Sequence, residues 1–243
     1  MSSENIAYDE QVQEIDHIEI DMLGNDEKRR MSVIKNDAGI DNPEMYESGQ
    51  PKYGGLADTR MGTSDPHIDC SGCGLNLNGC VGHPGHIKLA NYVFDIDNLP
   101  YIKKILDCIC VRCSKILIHK NKSDIEEALI TKTRDKRLSA LRELTRNIKY
   151  CQGRNYGCGA QRFKIKIENS KKTSSIQVVA EANLAGVAGE EDNKKKIRRI
   201  LSAEDCYNIL KNISDDDCKM LGMNHTKSRP EMMVIKYLLV APV

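Results

Sequence analysis

The stretch CSGCGLNLNGCVGHPGH at 70–86 crowds three cysteines and two histidines into a short length of chain. No other feature limits the fold so strongly, because side chains this close must crosslink, share a metal or do chemistry. Cys70 and Cys73 form one pair with two residues between them, and Cys80 and His83 form another. Two such pairs on tight turns can converge on a tetrahedral ion, and thiolates with an imidazole suit zinc. Glycines at 72, 74, 79 and 82 make the turns sterically cheap. Four protein ligands would close the coordination shell and leave no place for an activated water, so the spacing predicts a structural site. His86 is read as a packing or supporting residue beside that site, not as a further ligand.

Cys110-Val-Arg-Cys113 has the same pair spacing, and Cys151 and Cys158, within CQGRNYGCG, can give two more thiolates for a second zinc. Cys108 competes with Cys110, but a two-residue spacer is the commoner metal knuckle, which leaves Cys108 in the core. Cys206 and Cys218 stand alone on predicted helices and read as small buried hydrophobes. Disulfides are the weaker alternative, because 243 residues with 40% apolar content can bury a core without staples. The start of the chain is acidic, unlike a basic-then-apolar leader, and the chain is expected to be soluble and intracellular with no membrane partner. A catalytic thiol would need a base held by a third group, and a redox pair at Cys110 would need a βαβ setting; the sequence offers neither.

The net charge of +1 conceals an asymmetry, since nine acids fall in the first 30 residues while 101–200 holds 24 lysines and arginines against 11 acids. Seven thiolates around two Zn²⁺ would add about three negative charges, which basic neighbours would balance. A basic middle is compatible with nucleic acid and does not prove it.

Local patterns predict an α+β, loop-rich chain with short helices and small antiparallel sheets. Ile18, Ile20 and Met22 alternate with acids as in a half-buried strand, and Asn25 is expected to cap a helix to about residue 34. Residues 36–58 read as an ordered loop or linker. A strand is expected over 87–94 and a helix over 101–106, and 124–150 is the most helical stretch, interrupted by a basic turn over 132–137. From 162 to 182 two alternating runs around a polar tip predict a hairpin, with Phe163, Ile165 and Ile167 inside and Arg162, Lys164 and Lys166 on a basic outer face. Lys164, Lys166, Lys171 and Lys172 are the candidate nucleic-acid contacts. Residues 189–196 read as a flexible connection. Ser202 with Asp205, and Ser214 with Asp217, resemble capping boxes opening two helices, the second stopping near Gly222. The run MMVIKYLLVAPV reads as an apolar strand left unclosed at the end of the chain.

Several of these stretches occur together in one known family. GGLADTRMGTSD, the first cysteine cluster continuing into IKLANYVF, then CVRC and CGAQ, then ILSAEDCYNILKNISDDDCKMLGMN with SRPEMMVI, resemble the N-terminal part of the largest subunit of eukaryotic-type DNA-directed RNA polymerase. The similarity covers nearly the whole chain in order. It implies a zinc-stabilised clamp module, the mobile wall over DNA and the RNA–DNA hybrid. It also implies two structural Zn²⁺, one on Cys70, Cys73, Cys80 and His83 and one on Cys110, Cys113, Cys151 and Cys158. The divisions would be 1–58 (strand, short helix, linker), 59–160 (double zinc region with central helices), 161–200 (basic hairpin and flexible connection) and 201–243 (helical pair and strand leading into the rest of the subunit). Implied partners are the other polymerase subunits, the second-largest above all, template DNA, the hybrid, and initiation or elongation factors. Location would be the nucleus in a cell, or a virion or cytoplasmic factory in a virus. The family's N-A-D-F-D-G-D signature for catalytic Mg²⁺ is absent from this sequence, so nucleotidyl transfer is expected elsewhere in the enzyme. Thr59 where the family usually has proline, a short spacer between Cys151 and Cys158, and the acidic start point to a divergent lineage such as a large DNA virus. The rival readings are a free-standing zinc-dependent nucleic-acid-binding regulator and a zinc hydrolase, which would need an open three-ligand site.

Overall fold

Apolar residues at helical spacing build the central element. Leu99, Ile102, Ile105, Leu106 and Cys108 bury one face of the helix Leu99–Cys108, which opens with Pro100 in its first turn, where a missing N–H costs nothing. The computed structural model describes residues 16, 22–118, 130, 133–152, 156–169, 176–183 and 196–243. Within these the helices are α1 (Asn25–Met31), α2 (Leu99–Cys108), α3 (Arg134–Thr145), α4 (Ala203–Lys211) and α5 (Asp215–Met220), with a 3₁₀ turn at Pro230–Met233. The strands are β1 (Tyr46–Glu47), β2 (Gln50–Pro51), β3 (Gly85–Phe94), β4 (Lys164–Asn169), β5 (Ile176–Asn183), β6 (Lys196–Leu201) and β7 (Val234–Val240). They form three small antiparallel sheets, β1–β2, β3–β7 and β4–β5–β6. The expected mixed, loop-rich architecture is thus present.

The largest core lies between α2, α3 and the inner face of the β4–β5–β6 sheet. Leu138 and Leu141 of α3 pack there with Ile165, Val178, Ala180 and Leu201. In the sheet register Ile165 lies beside Ala180, and Ile167 beside Val178, which lies beside Leu201, so the period of two puts one apolar row on the core. The helix α4 begins at the expected capping box, Ser202 Oγ accepting from Asp205 N at 3.0 Å and Asp205 Oδ2 accepting from Ser202 N at 3.1 Å. At α5, Ser214 Oγ accepts from Asp217 N, and Gly222 with φ +79° follows the helix end.

Several expectations need correction. The strand β6 takes up residues expected to belong to the flexible connection, and it turns the hairpin into a three-stranded sheet. Arg162 is not on the outer face, because the strand starts at Lys164 and the guanidinium turns inward. Residues 134–137 are no basic turn but the first turn of α3, with Arg137 N bonded to Thr133 O. The apolar run near the chain end is closed on one side by β3, from Gly85–Val240 to Phe94–Val234 with a register shift between Lys88 and Val93. Gly24, not Asn25, is the N-cap of α1, and that helix ends at Met31. Asn25 instead uses its side chain as a strand edge, donating to Val234 O and accepting from Lys236 N and Tyr237 N. Ile130, an apolar residue within the stretch read as most helical, is exposed. The strand residues Ile18 and Ile20, the helical residues 124–129, the hairpin tip with Lys171 and Lys172, and residues 189–195 lie outside the described residues.

A second, smaller core of Ile34, Ile40 and Met61 sits under the β3–β7 sheet beside the first cysteine cluster. A third is made by Cys110, Leu117 and Cys151 with Cys113 and Ile148 against it. Among the described residues no helix is long and apolar enough to cross a membrane.

Candidate metal centres

Both Cys-x-x-Cys pairs fold into the same loop. In the first, Gly74 N donates to Cys70 O at 2.7 Å and Cys70 N to Leu75 O at 2.9 Å; in the second, Ser114 N donates to Cys110 O at 2.8 Å and Cys110 N to Lys115 O at 2.9 Å. Each loop needs a left-handed residue just after its second cysteine. Gly74 supplies it at φ +72° and Ser114 at φ +58°. The half-loops at Cys80 and Cys158 use Gly82 (φ +79°) and Gly159 (φ +68°) in the same way.

These loops bring the predicted ligands together. The ligand atoms of Cys70, Cys73, Cys80 and His83 all lie within 4.8 Å of one another, as do those of Cys110, Cys113, Cys151 and Cys158. Cys80 Sγ is 3.6 Å from His83 Nε2, and the Sγ pairs Cys110–Cys158 and Cys113–Cys151 are each 3.6 Å apart. Zinc–sulfur bonds of about 2.3 Å in a tetrahedron require sulfur separations of about 3.8 Å, so the spacing fits one ion per cluster. It is far too long for disulfides, and all ten cysteines are free. Amides point at the sulfurs, Gly72 N at Cys70 Sγ and Gly82 N at Cys80 Sγ, each at 3.4 Å. Such donors favour thiolate.

The thiols respond unequally. Burial, opposed by the amides of Cys113 and Arg112, pushes the Cys110 thiol up to about 12, and burial raises Cys151 too. At Cys70 burial also raises the thiol, yet the amides of Cys73 and Gly72 outweigh it and hold it below its ordinary value. Buried thiols crowded this way cannot all ionise without a compensating cation, and a divalent ion supplies it. With four protein donors in each cluster, the arrangement suits structural sites and not a hydrolase with an open position. The leftover cysteines behave as expected: Cys108, Cys206 and Cys218 are fully buried in the main core, with burial pushing the first two up to about 12 and the third to about 11. His86 is a core residue, its Nδ1 2.7 Å from Ser32 Oγ and its ring edge-on to Tyr237.

Two supports escape the sequence reading. The first is Asp58, fully buried, which accepts from Gly54 N at 2.6 Å, Arg60 N at 2.9 Å and the Arg60 guanidinium at 2.9 and 2.7 Å; that guanidinium lies 3.8 Å over the Tyr53 ring. It fixes the segment whose Thr59 O and Met61 O accept from Ser71 N and His83 N of the first cluster. The Thr59 hydroxyl also bonds Ser71 Oγ, a contact proline could not make. The second support is Arg162, which donates to Thr145 O at 2.5 Å, Asp107 O at 2.8 Å and Arg146 O at 2.9 Å. It thereby ties the strand that follows the second cluster to the helices that precede its two halves. Nothing in a basic residue within an alternating run announces that role.

Of the candidate nucleic-acid contacts, Lys164 is exposed, Lys166 is paired with Glu181 at 2.7 Å, and Lys171 and Lys172 lie outside the described residues.

A family model described as RNA polymerase Rpb1, domain 1, matches residues 12–243. The chain is 36% identical over 236 residues to the DNA-directed RNA polymerase subunit 1 of Acanthamoeba polyphaga mimivirus, covering 96% of this chain and 16% of that protein. It is 32% identical over 235 residues to the DNA-directed RNA polymerase II subunit RPB1 of Euplotoides octocarinatus, covering 95% of this chain and 47% of that protein. The chain therefore spans less than half the length of either relative.

Proposed function

The chain belongs to the family of RNA polymerase Rpb1, domain 1, and on that premise we propose that it serves as the zinc-stiffened clamp of a DNA-directed RNA polymerase largest subunit. The observation that carries the reading is the pair of four-residue clusters, each with its ligand atoms within 4.8 Å, at the positions where the family resemblance expects metal. Cys70, Cys73, Cys80 and His83 would hold one Zn²⁺, and Cys110, Cys113, Cys151 and Cys158 the other. Each ion, when bound, supplies a closed crosslink and no reaction.

The residues around the ions do the mechanical work. The first cluster is joined to the second core through Met61 O and to the β3–β7 sheet, since His83 leads directly into β3. The second cluster follows α2 and α3 and leads into β4, with Arg162 clasping the three segments. Loops this poor in apolar side chains gain little from burial, so a metal crosslink is what lets them move with the packed helices as one rigid body. Nucleotidyl transfer, with its Mg²⁺, would take place elsewhere in the enzyme. The working partners would be the second-largest subunit, template DNA and the RNA–DNA hybrid, with location in the nucleus or in a viral factory.

The test is reconstitution of the polymerase from this chain, the remainder of the largest subunit and the second-largest subunit, followed by elongation on a preassembled hybrid at rising salt. The chain should join the complex and prolong its life on the template. The Cys73→Ser and Cys113→Ser chains should each lose about one zinc and weaken that effect without altering the rate of nucleotide addition in surviving complexes. A chain that joins neither subunit would contradict the clamp reading and favour the free-standing regulator.

A further inference from the structure

The sulfurs of the second cluster meet in two pairs, Cys110 with Cys158 and Cys113 with Cys151, each 3.6 Å apart. Each pair couples an outer sulfur to an inner one. Cys158 is exposed and Cys113 half-buried, whereas Cys110 and Cys151 are buried. Arg112 and Lys115, both exposed, bring positive charge to the knuckle, and such surroundings favour the thiolate, the form that attacks a peroxide. Both pairs also run across the site. Each joins the knuckle after α2 to the segment between α3 and β4, over separations of 48 and 38 residues, so a bond within either pair would tie the parts of the chain that the ion ties. The first cluster differs, because its three sulfurs allow one such bond and leave one cysteine over, and His83 forms none.

We propose that the second cluster is a modification site for hydrogen peroxide, which converts it from a zinc site into the two disulfides Cys110–Cys158 and Cys113–Cys151. In each pair the outer thiolate sulfur attacks one peroxide oxygen, the O–O bond breaks and hydroxide leaves, giving a sulfenic acid. The inner thiolate then attacks that sulfur, the S–S bond forms and a second hydroxide leaves. Two protons turn both hydroxides into water, so each pair gives up two electrons and one peroxide takes them. Four thiolates are consumed in this way by two peroxides, and the metal is set free. The crosslink outlasts the ion, and a thiol reductant with fresh zinc returns the site to its first state. This conversion rests on the zinc assignment proposed above for the second cluster and not on the clamp role.

The test treats the full zinc-loaded chain with hydrogen peroxide at neutral pH, blocks the remaining thiols and maps the links by peptide mass spectrometry. The map should show Cys110 joined to Cys158 and Cys113 joined to Cys151. Metal release is counted with a colorimetric chelator on the Cys73→Ser chain, in which the second cluster alone holds zinc. That chain should lose its one zinc for about two peroxides consumed, and dithiothreitol with added zinc should reload it. Should the variant fail to fold, the map on the unaltered chain still decides the matter. A zinc count taken before oxidation separates the two ways of failing. No ion at the second cluster at that stage would contradict the metal assignment and the conversion together. A loaded chain that joins Cys110 to Cys113, stops at sulfinic acid or keeps its zinc under peroxide would overturn the conversion alone.

Discussion

Replacing Arg162 with methionine removes the donors while keeping most of the aliphatic stem, and so isolates the clasp that joins the second metal cluster to the main core. Two of its three bonds, to Thr145 O and Asp107 O, are partly shielded from water; the third, to Arg146 O, is solvent-exposed and contributes little. Hydrogen bonds from a charged donor are worth roughly 1.5 kcal/mol each at the low end, so the shielded pair amounts to about 3 kcal/mol. The metal-loaded chain should therefore unfold in urea with its midpoint lowered by about 1 M, taking a denaturant slope of about 2 to 3 kcal/mol/M. Arg162→Lys should recover only part of this, because one ammonium cannot reach carbonyls spread over two helix ends. The loss should also be local, so that a chelator removes metal faster from the second cluster while the first keeps its rate. An unchanged midpoint, or equal acceleration at both clusters, would refute the reasoning.

Two glycines separate backbone strain from steric conflict. A methyl at Gly74 meets nothing within 4 Å, so Gly74→Ala should cost about 1 kcal/mol, the price of φ +72° alone, and keep the ion. A methyl at Gly157 would lie 2.5 Å from Cys151 Sγ and 2.1 Å from Gln152 O, so Gly157→Ala should cost the second cluster its ion by elemental analysis while sparing the first. Acidification has a definite sign. Because burial holds Cys110 near 12 and raises Cys151, the metal-free folded chain keeps protons on both, and binding must displace at least two. Apparent affinity at the second cluster should then fall by at least about a hundredfold for each pH unit lowered below neutrality, read by chelator competition, and a slope of one proton or fewer would contradict it. Asp58 works through another route: burial raises its carboxyl, but bonds from Arg60 and Gly54 outweigh this and hold it below the usual carboxylate value. That stabilisation is present above about pH 4 and is lost as pH falls through the lowered value, so Asp58→Asn should already be destabilised at neutral pH by thermal melting.

What the sequence conveyed follows from how far apart the interacting groups lie along the chain. Cysteine pairs with two residues between them carry their loop geometry locally, so the Cys70–Cys73 and Cys110–Cys113 loops were readable, and the spacing marked as candidates the two groups of four that the fold brings together. The capping box at Ser202 was readable for the same reason, as was the buried face of α2. Sheet partners were not. The strand β7 finds β3 across about 150 residues, and Asn25 bonds that strand's edge from 209 residues away, with no local trace of either. The strand β6 was hidden because Lys196, Arg198 and Arg199 equal its apolar residues in number and break their alternation, its place being set by pairing with β5 and by diagonal charge pairs such as Arg198 with Glu168 at 2.6 Å. The basic run opening α3 reads as solvated turn until Lys104 of α2 is seen 2.5 Å from Asp135. Arg162 and Asp58 looked like surface charges because burial of a charge depends on partners that only the fold brings near.

Native mass spectrometry of the purified chain, with metal counted before and after acid denaturation, bears most directly on the two-rivet account. It predicts two zinc ions on every folded chain, both released by acid, and one remaining after Cys113→Ser. A folded, cooperative chain that carries a single ion or none would contradict it.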